Sequence, residues 1–102
     1  MVENIIHGGW TLPKVATDEI QIMCDKVKQQ IEDKVKRNFE KFETKLYRCE
    51  IVNGVQYLVK IQVGTEICIH IMIYQLPYLP PLPLQVVAVK DHVTLDSPLE
   101  PF

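Results

Sequence analysis

The chain has 102 residues, of which 47% are hydrophobic and 24% charged, and a formal net charge of −2. A domain of this size buries roughly 60–65% of its unfolded surface, so one core suffices without disulfide or metal staples. The basic residues are spread out and only Arg37 and Arg48 are arginines, which argues against the concentrated cationic footprint that nucleic acids and acidic membranes require.

The N-terminus, MVENIIHGGW, lacks a charged region followed by a long apolar one, so no signal peptide is expected. The longest apolar run, Ile67 to Tyr74, contains His70 and is too short to span a bilayer. Cys24, Cys49 and Cys68 make an odd count without CxxC spacing, and each lies in an apolar periodic segment. They read as reduced thiols in packed positions, with Cys68 the most exposed of the three. A cytosolic, leaderless chain is expected.

Residues 1–16 form a lead segment with Gly8, Gly9 and Pro13 and no sustained periodicity. From Thr17 onward Ile20, Cys24, Val27, Ile31 and Val35 recur at steps of three and four, which predicts an amphipathic helix of about five turns. Thr17 suits an N-cap, and Asp18 and Glu19 complement the helix dipole. On the outer face, Glu32 with Lys36 and Asp33 with Arg37 have the spacing of carboxylate-first ion pairs.

After Phe39 and Phe42 the period drops to two, predicting strands near 43–52, 55–63, 67–74 and 84–90. One long helix followed by such a meander makes an α+β domain, with the helix packed across one face of an antiparallel β-sheet. The last strand has two candidate inward sets, Leu84, Val86 and Ala88 or Val87 and Val89.

The first hairpin's register follows from parity. The inward sets are Tyr47, Cys49 and Ile51 on one strand and Tyr57, Val59 and Ile61 on the next. Directly opposed residues share a face, so the pairs are Cys49 with Tyr57 and Ile51 with Val55. A two-residue Asn53-Gly54 turn would instead pair Glu50 with Tyr57 and put a carboxylate under the helix, a cost of several kcal/mol. An odd loop, Val52-Asn53-Gly54, keeps the faces consistent and gives the glycine a left-handed position. The next hairpin repeats this with Val63 opposite Ile67 and a Gly64-Thr65-Glu66 loop. Val52 is then either a tip presented to a partner or an ordinary strand-end valine beside a hairpin glycine.

Taken together, several pieces resemble the stefins, the single-domain intracellular branch of the cystatins. They are Gly8-Gly9, ATDEIQ (16–21), DKVK (25–28), the hairpin tip, VQYLVKIQVG (55–64), IHI (69–71), Leu76-Pro77 and the closing Leu99-x-x-Phe102. Their order and spacing cover nearly the whole chain from Gly8. The resemblance implies a cystatin-like domain over 1–102 with 1–16 as a flexible N-terminal trunk. It also implies a reversible, tight-binding protein inhibitor of papain-like cysteine proteases such as cathepsins, with no catalysis and no cofactor. By position, Gly8 or Gly9 is the trunk glycine, Ile5, Ile6 and His7 enter the non-primed subsites, Glu50-Ile51-Val52-Asn53-Gly54 is the first loop, and Leu76-Pro77-Tyr78 is the second. The chain departs from the family's Q-x-V-x-G pattern in having Glu50 and Asn53. Trp10 follows the glycines where a smaller residue is usual.

The same residues admit competing uses. Gly8-Gly9 also fits a floppy terminus. His7, His70 and His92 lack metal-ligand spacing, and His70 belongs on the outward strand face as a solvated or hydrogen-bonded residue. Ser97 is the sole serine, in a proline-flanked segment ill suited to a nucleophile, and no cysteine has an evident base. A hot-dog-like enzyme would need more length and more polar site residues than this chain has. The proline-rich segment 77–83 reads as a stiff connection or a polyproline-II ligand. Cys68, Met72 and Tyr74 form an outer-face patch suited to self-association if uncovered. The alternative function is therefore a non-inhibitory or weakly inhibitory cystatin-fold interaction module using segment 77–83 or the outer sheet face. The expected state is a monomer, with a domain-swapped dimer as its variant.

Overall fold

A computed structural model describes residues 9–76 and 84–102. Two short helices, α1 (Asp18–Lys26) and α2 (Lys28–Val35), lie on one face of a five-stranded sheet. The strands are β1 (Lys14–Val15), β2 (Glu43–Val52), β3 (Gly54–Gln62), β4 (Ile67–Gln75) and β5 (Leu84–Thr94), all antiparallel neighbours in chain order.

Thr17 caps α1, its hydroxyl accepting from the Ile20 N–H at 3.3 Å. The expected helix spans 18–35 with one interruption. At Val27 (φ −108°, ψ 9°) the N–H reaches the Cys24 carbonyl three residues back, at 3.1 Å, before the helix resumes with Ile31 N–H to Val27 O. This single tightened turn does not break the buried stripe: Ile20, Cys24, Val27 and Ile31 all lie in the core. Facing them from the sheet are Val59, Ile61, Ile69, Ile71, Ile73 and Val86.

The two outer-face ion pairs do not form. Lys36 is the left-handed cap of α2 (φ 63°), past the last helical turn, so it no longer sits above Glu32. Glu32 instead accepts from the Phe39 N–H at 2.9 Å and lies 4.0 Å from Lys28. Asp33 accepts from Gln29, and Arg37 reaches across to Asp91 at 2.6 Å.

Cys49 pairs with Tyr57 and Ile51 with Val55, as parity requires. In the next hairpin the Val63 N–H bonds the Ile67 carbonyl at 2.9 Å. The choice of face for β5 resolves into a combination. Ile73 pairs with Val86 but Met72 with Ala88, so Val87 is an extra residue, half exposed. The bulge sends Leu84, Val86 and Val89 toward the helices and Ala88 to the opposite face. β5 also continues past residue 90, through a second irregularity at Asp91-His92, where His92 has φ 59°.

The outer face corrects three expectations. It is covered rather than bare, because residues 95–99 run back across it. Lys60, itself 1% exposed, donates from Nζ to the carbonyls of Leu95 and Ser97, each at 2.5 Å. Leu99 packs with Leu58 and Met72, and Trp10, Leu46 and Ala88 border this second cluster. Cys68 is consequently fully buried, not the most exposed thiol, and Met72 is buried with it. His70 is 2% exposed rather than solvated, and its Nε2 has no hydrogen-bond partner.

Candidate functional site

The end of the sheet that carries the β2–β3 hairpin gathers most of the described residues singled out from the sequence. Ile51 pairs with Val55 and Val52 with Gly54, which places Asn53 at the apex. Gly54 has φ 113°, a conformation that side-chain-bearing residues rarely adopt. It also has no room for a side chain: a Cβ there would lie 2.5 Å from the Gln75 carbonyl oxygen and 3.0 Å from the Tyr74 ring. The glycine thus lets the last residues of β4 lie directly against the apex. The Tyr74 hydroxyl donates to the Asn53 carbonyl from the same direction.

This support makes the apex a stiff projection. Val52 is 38% exposed at its shoulder, an apolar group presented to solvent, while Glu50 and Ile51 are half-buried just below. On one side the backbone of Trp10 bridges that of Glu50. On the other, Val55 pairs with Gln75 and Gln75 with Leu84, so Leu76, 40% exposed, stands at the same end of the sheet. Gly9 adjoins the Trp10 bridge. Gly9, Glu50, Ile51, Val52, Asn53, Gly54 and Leu76 therefore share one end of the molecule. Ile5, Ile6, His7, Gly8, Pro77 and Tyr78 lie outside the described residues, as does the proline-rich segment 77–83.

The root of the lead segment is held firmly. Thr11, 1% exposed, donates its N–H to the Cys49 carbonyl at 2.9 Å, and its hydroxyl accepts from the Cys49 N–H at 3.1 Å. Residues 14–15 add two pairs to β2. Sequence reasoning did not assign Thr11, Tyr74 or Arg48 to this region. Each works through a contact distant in sequence and has no local pattern to betray it.

Beside this end, a side-open cleft of about 520 Å³ lies between α1 and the sheet, with Ile20, Met23, Tyr47, Tyr57 and Leu84 among its walls. The Tyr57 hydroxyl donates to the Gln75 side chain at 3.4 Å, and burial pushes its pKa up. Two of the three thiols are held away from the reactive thiolate form. Burial, with Asp25 adding to it, pushes Cys24 up to about 12, and burial raises Cys68 as well. Among the described residues no three His, Cys, Asp or Glu side chains cluster as a metal site. No described helix is long and apolar enough to cross a membrane.

Comparison with known proteins agrees with this architecture. The family model described as the cystatin domain matches residues 8–91. Cystatin-A8 of Sus scrofa is 41% identical over 101 residues, covering 98% of this chain and 97% of that protein. Leukocyte cysteine proteinase inhibitor 1 of the same species is 39% identical over the same shares. Stefin-C of Bos taurus is 38% identical over 68 residues, 67% of each chain. The chain belongs to the cystatin family, among its type 1 members, the stefins.

Proposed function

We propose that the chain is a reversible protein inhibitor of papain-like cysteine proteases of the cathepsin type, acting inside cells by filling the active-site cleft. One observation carries the reading: the hairpin apex, the root of the lead segment and the end of β4 share a single end of the sheet. The name of the pig leukocyte cysteine proteinase inhibitor supports the same activity. Ile6, His7, Gly8 and Gly9 form the trunk, residues 50–54 the first loop, and Leu76, Pro77 and Tyr78 the second. The protein acts as one domain and as an inhibitor rather than an enzyme.

The physics favours occlusion. The apex is already fixed by Gly54, Gln75 and Tyr74, so docking it loses little conformational entropy and burial of Val52 appears as affinity. Glu50 opposes this in part, because a carboxylate at the rim of a closed interface costs about 1–3 kcal/mol unless a donor meets it.

Titration of papain at neutral pH tests the reading. Stoichiometric, reversible loss of activity is expected, weakened by Val52→Asp and by deletion of residues 1–9, and tightened by Glu50→Gln. Full protease activity at high micromolar concentrations of the chain would overturn it.

A further inference from the structure

The tail that covers the outer face also touches the root of the trunk, and one side chain makes the link. Arg48, whose side chain is 14% exposed, lies on β2 between the two. Its Nε donates to the Thr11 carbonyl at 2.7 Å. Its Nη1 donates to the Leu99 carbonyl at 2.7 Å and lies 3.3 Å from the Glu100 carboxylate. The rigid guanidinium fork suits two carbonyls approaching from different directions, a task that a single ammonium point performs poorly. Beside it, Trp10 borders the cluster formed by Leu58, Met72 and Leu99. The direction in which the chain leaves Trp10 toward Gly9 is thus fixed from two sides, by pairing to β2 and by the tail.

We propose that Arg48 is a positioning residue for the N-terminal trunk: it couples the C-terminal tail to residues 10–11 and so sets the aim of residues 1–9. The inference rests on the inhibitory reading above and adds a determinant outside the three contacting segments. Arg48 touches no protease in this scheme. It makes the trunk's contribution to affinity depend on the tail.

A double-mutant cycle tests it, with papain inhibition measured for the full chain, Arg48→Met, deletion of residues 1–9, and the two combined. Loss of two charge-assisted hydrogen bonds at the root should weaken inhibition by about tenfold in the full chain. In the truncated background the same substitution should change it by less than about twofold. An equal loss in both backgrounds would assign Arg48 to the hairpin or to general stability and overturn the proposal. Arg48→Lys should recover only part of the effect.

Trp10, the sole tryptophan, gives a readout independent of any protease. Arg48→Met should red-shift its emission and lower its anisotropy while the far-ultraviolet circular dichroism stays unchanged. Unaltered Trp10 emission would overturn the coupling even if inhibition fell. Should Arg48→Met fail to fold, Leu99→Ala loosens the same brace from the tail side and should reproduce both signatures. If the native chain inhibits nothing, the fluorescence arm still decides on the brace, so the two readings fail separately.

Discussion

Acid should weaken this fold between pH 6.5 and 4.5 through a single histidine. His70 is 2% exposed on the outer face of β4, its Nε2 without a partner. Lys60 opposes it on β3, Lys90 opposes it on β5, Cys68 precedes it on the same face, and Asp96 sits in the tail near Lys60. Burial and the two flanking lysines push its pKa from 6.5 down to about 4. The native state therefore holds a neutral imidazole where the unfolded chain takes up a proton. The stabilisation is complete above pH 6.5 and is lost as the pH falls toward 4. The slope approaches about 1.4 kcal/mol per pH unit inside that window and sums to roughly 3 kcal/mol. Against a total stability of about 5–15 kcal/mol that is a large share.

The depressed carboxylates do not share the window. Burial opposes the shift at Asp91, but its hydrogen bonds to Arg37 and to the His92 N–H prevail, and its stability is lost only as pH falls below 3.8. Glu43, lowered chiefly by its contact with Lys45, enters below 4.5. Urea unfolding at several pH values between 7.5 and 4.5, for the native chain and His70→Gln, isolates the effect. The native chain should lose most of the stated stability, and the variant should lose much less. Parallel losses in both proteins would refute the assignment to His70.

Other consequences can be checked on the same material. Gly54→Ala places a methyl 2.5 Å from the Gln75 oxygen in a left-handed backbone. It should cost about 1–3 kcal/mol in urea unfolding and weaken papain inhibition in step; a neutral result would show that β4 gives way freely. Thr17→Ala should cost about 1 kcal/mol by removing the cap on α1, and a loss below the error of thermal unfolding would refute that role. The three thiols should resist alkylation at neutral pH until the protein unfolds, since all are buried. Prompt labelling of any of them in the native state would contradict the packing, and mass spectrometry of the labelled peptides identifies which.

The first hairpin was legible because its two strands carry a burial code with one consistent solution. Only the odd loop keeps Glu50 away from the helix, and Cys49 duly meets Tyr57. The helix stripe was legible for the same reason, through repeated apolar positions. Single-residue insertions hide from such patterns. Val87 shifts every later residue of β5 by one, so neither inward set could be right along the whole strand. The ion pairs failed at Lys36 because spacing alone does not say where a helix stops. The covering tail was the largest omission. One buried leucine in a proline-flanked segment has no period, and the lysine that holds it resembles any other exposed cation until its partners' carbonyls are seen. For the candidate site, the contiguous apex was recognisable from the sequence. The root at Thr11 and the support from Tyr74 depend on contacts far apart along the chain.

The bulges of β5 bear on how copies of this protein treat one another. As the terminal strand among the described residues it has one margin without a partner strand, where Gln30 meets the Leu84 carbonyl and the Val86 N–H. Such a margin is a natural template for cross-molecular zippering into fibres. Eleven residues set against the nine of β4, kinked at Val87 and again near His92, spoil the regular spacing that such growth would need. The same irregularity that made the strand hard to read thus makes its free margin a poor template for a straight strand of a second copy.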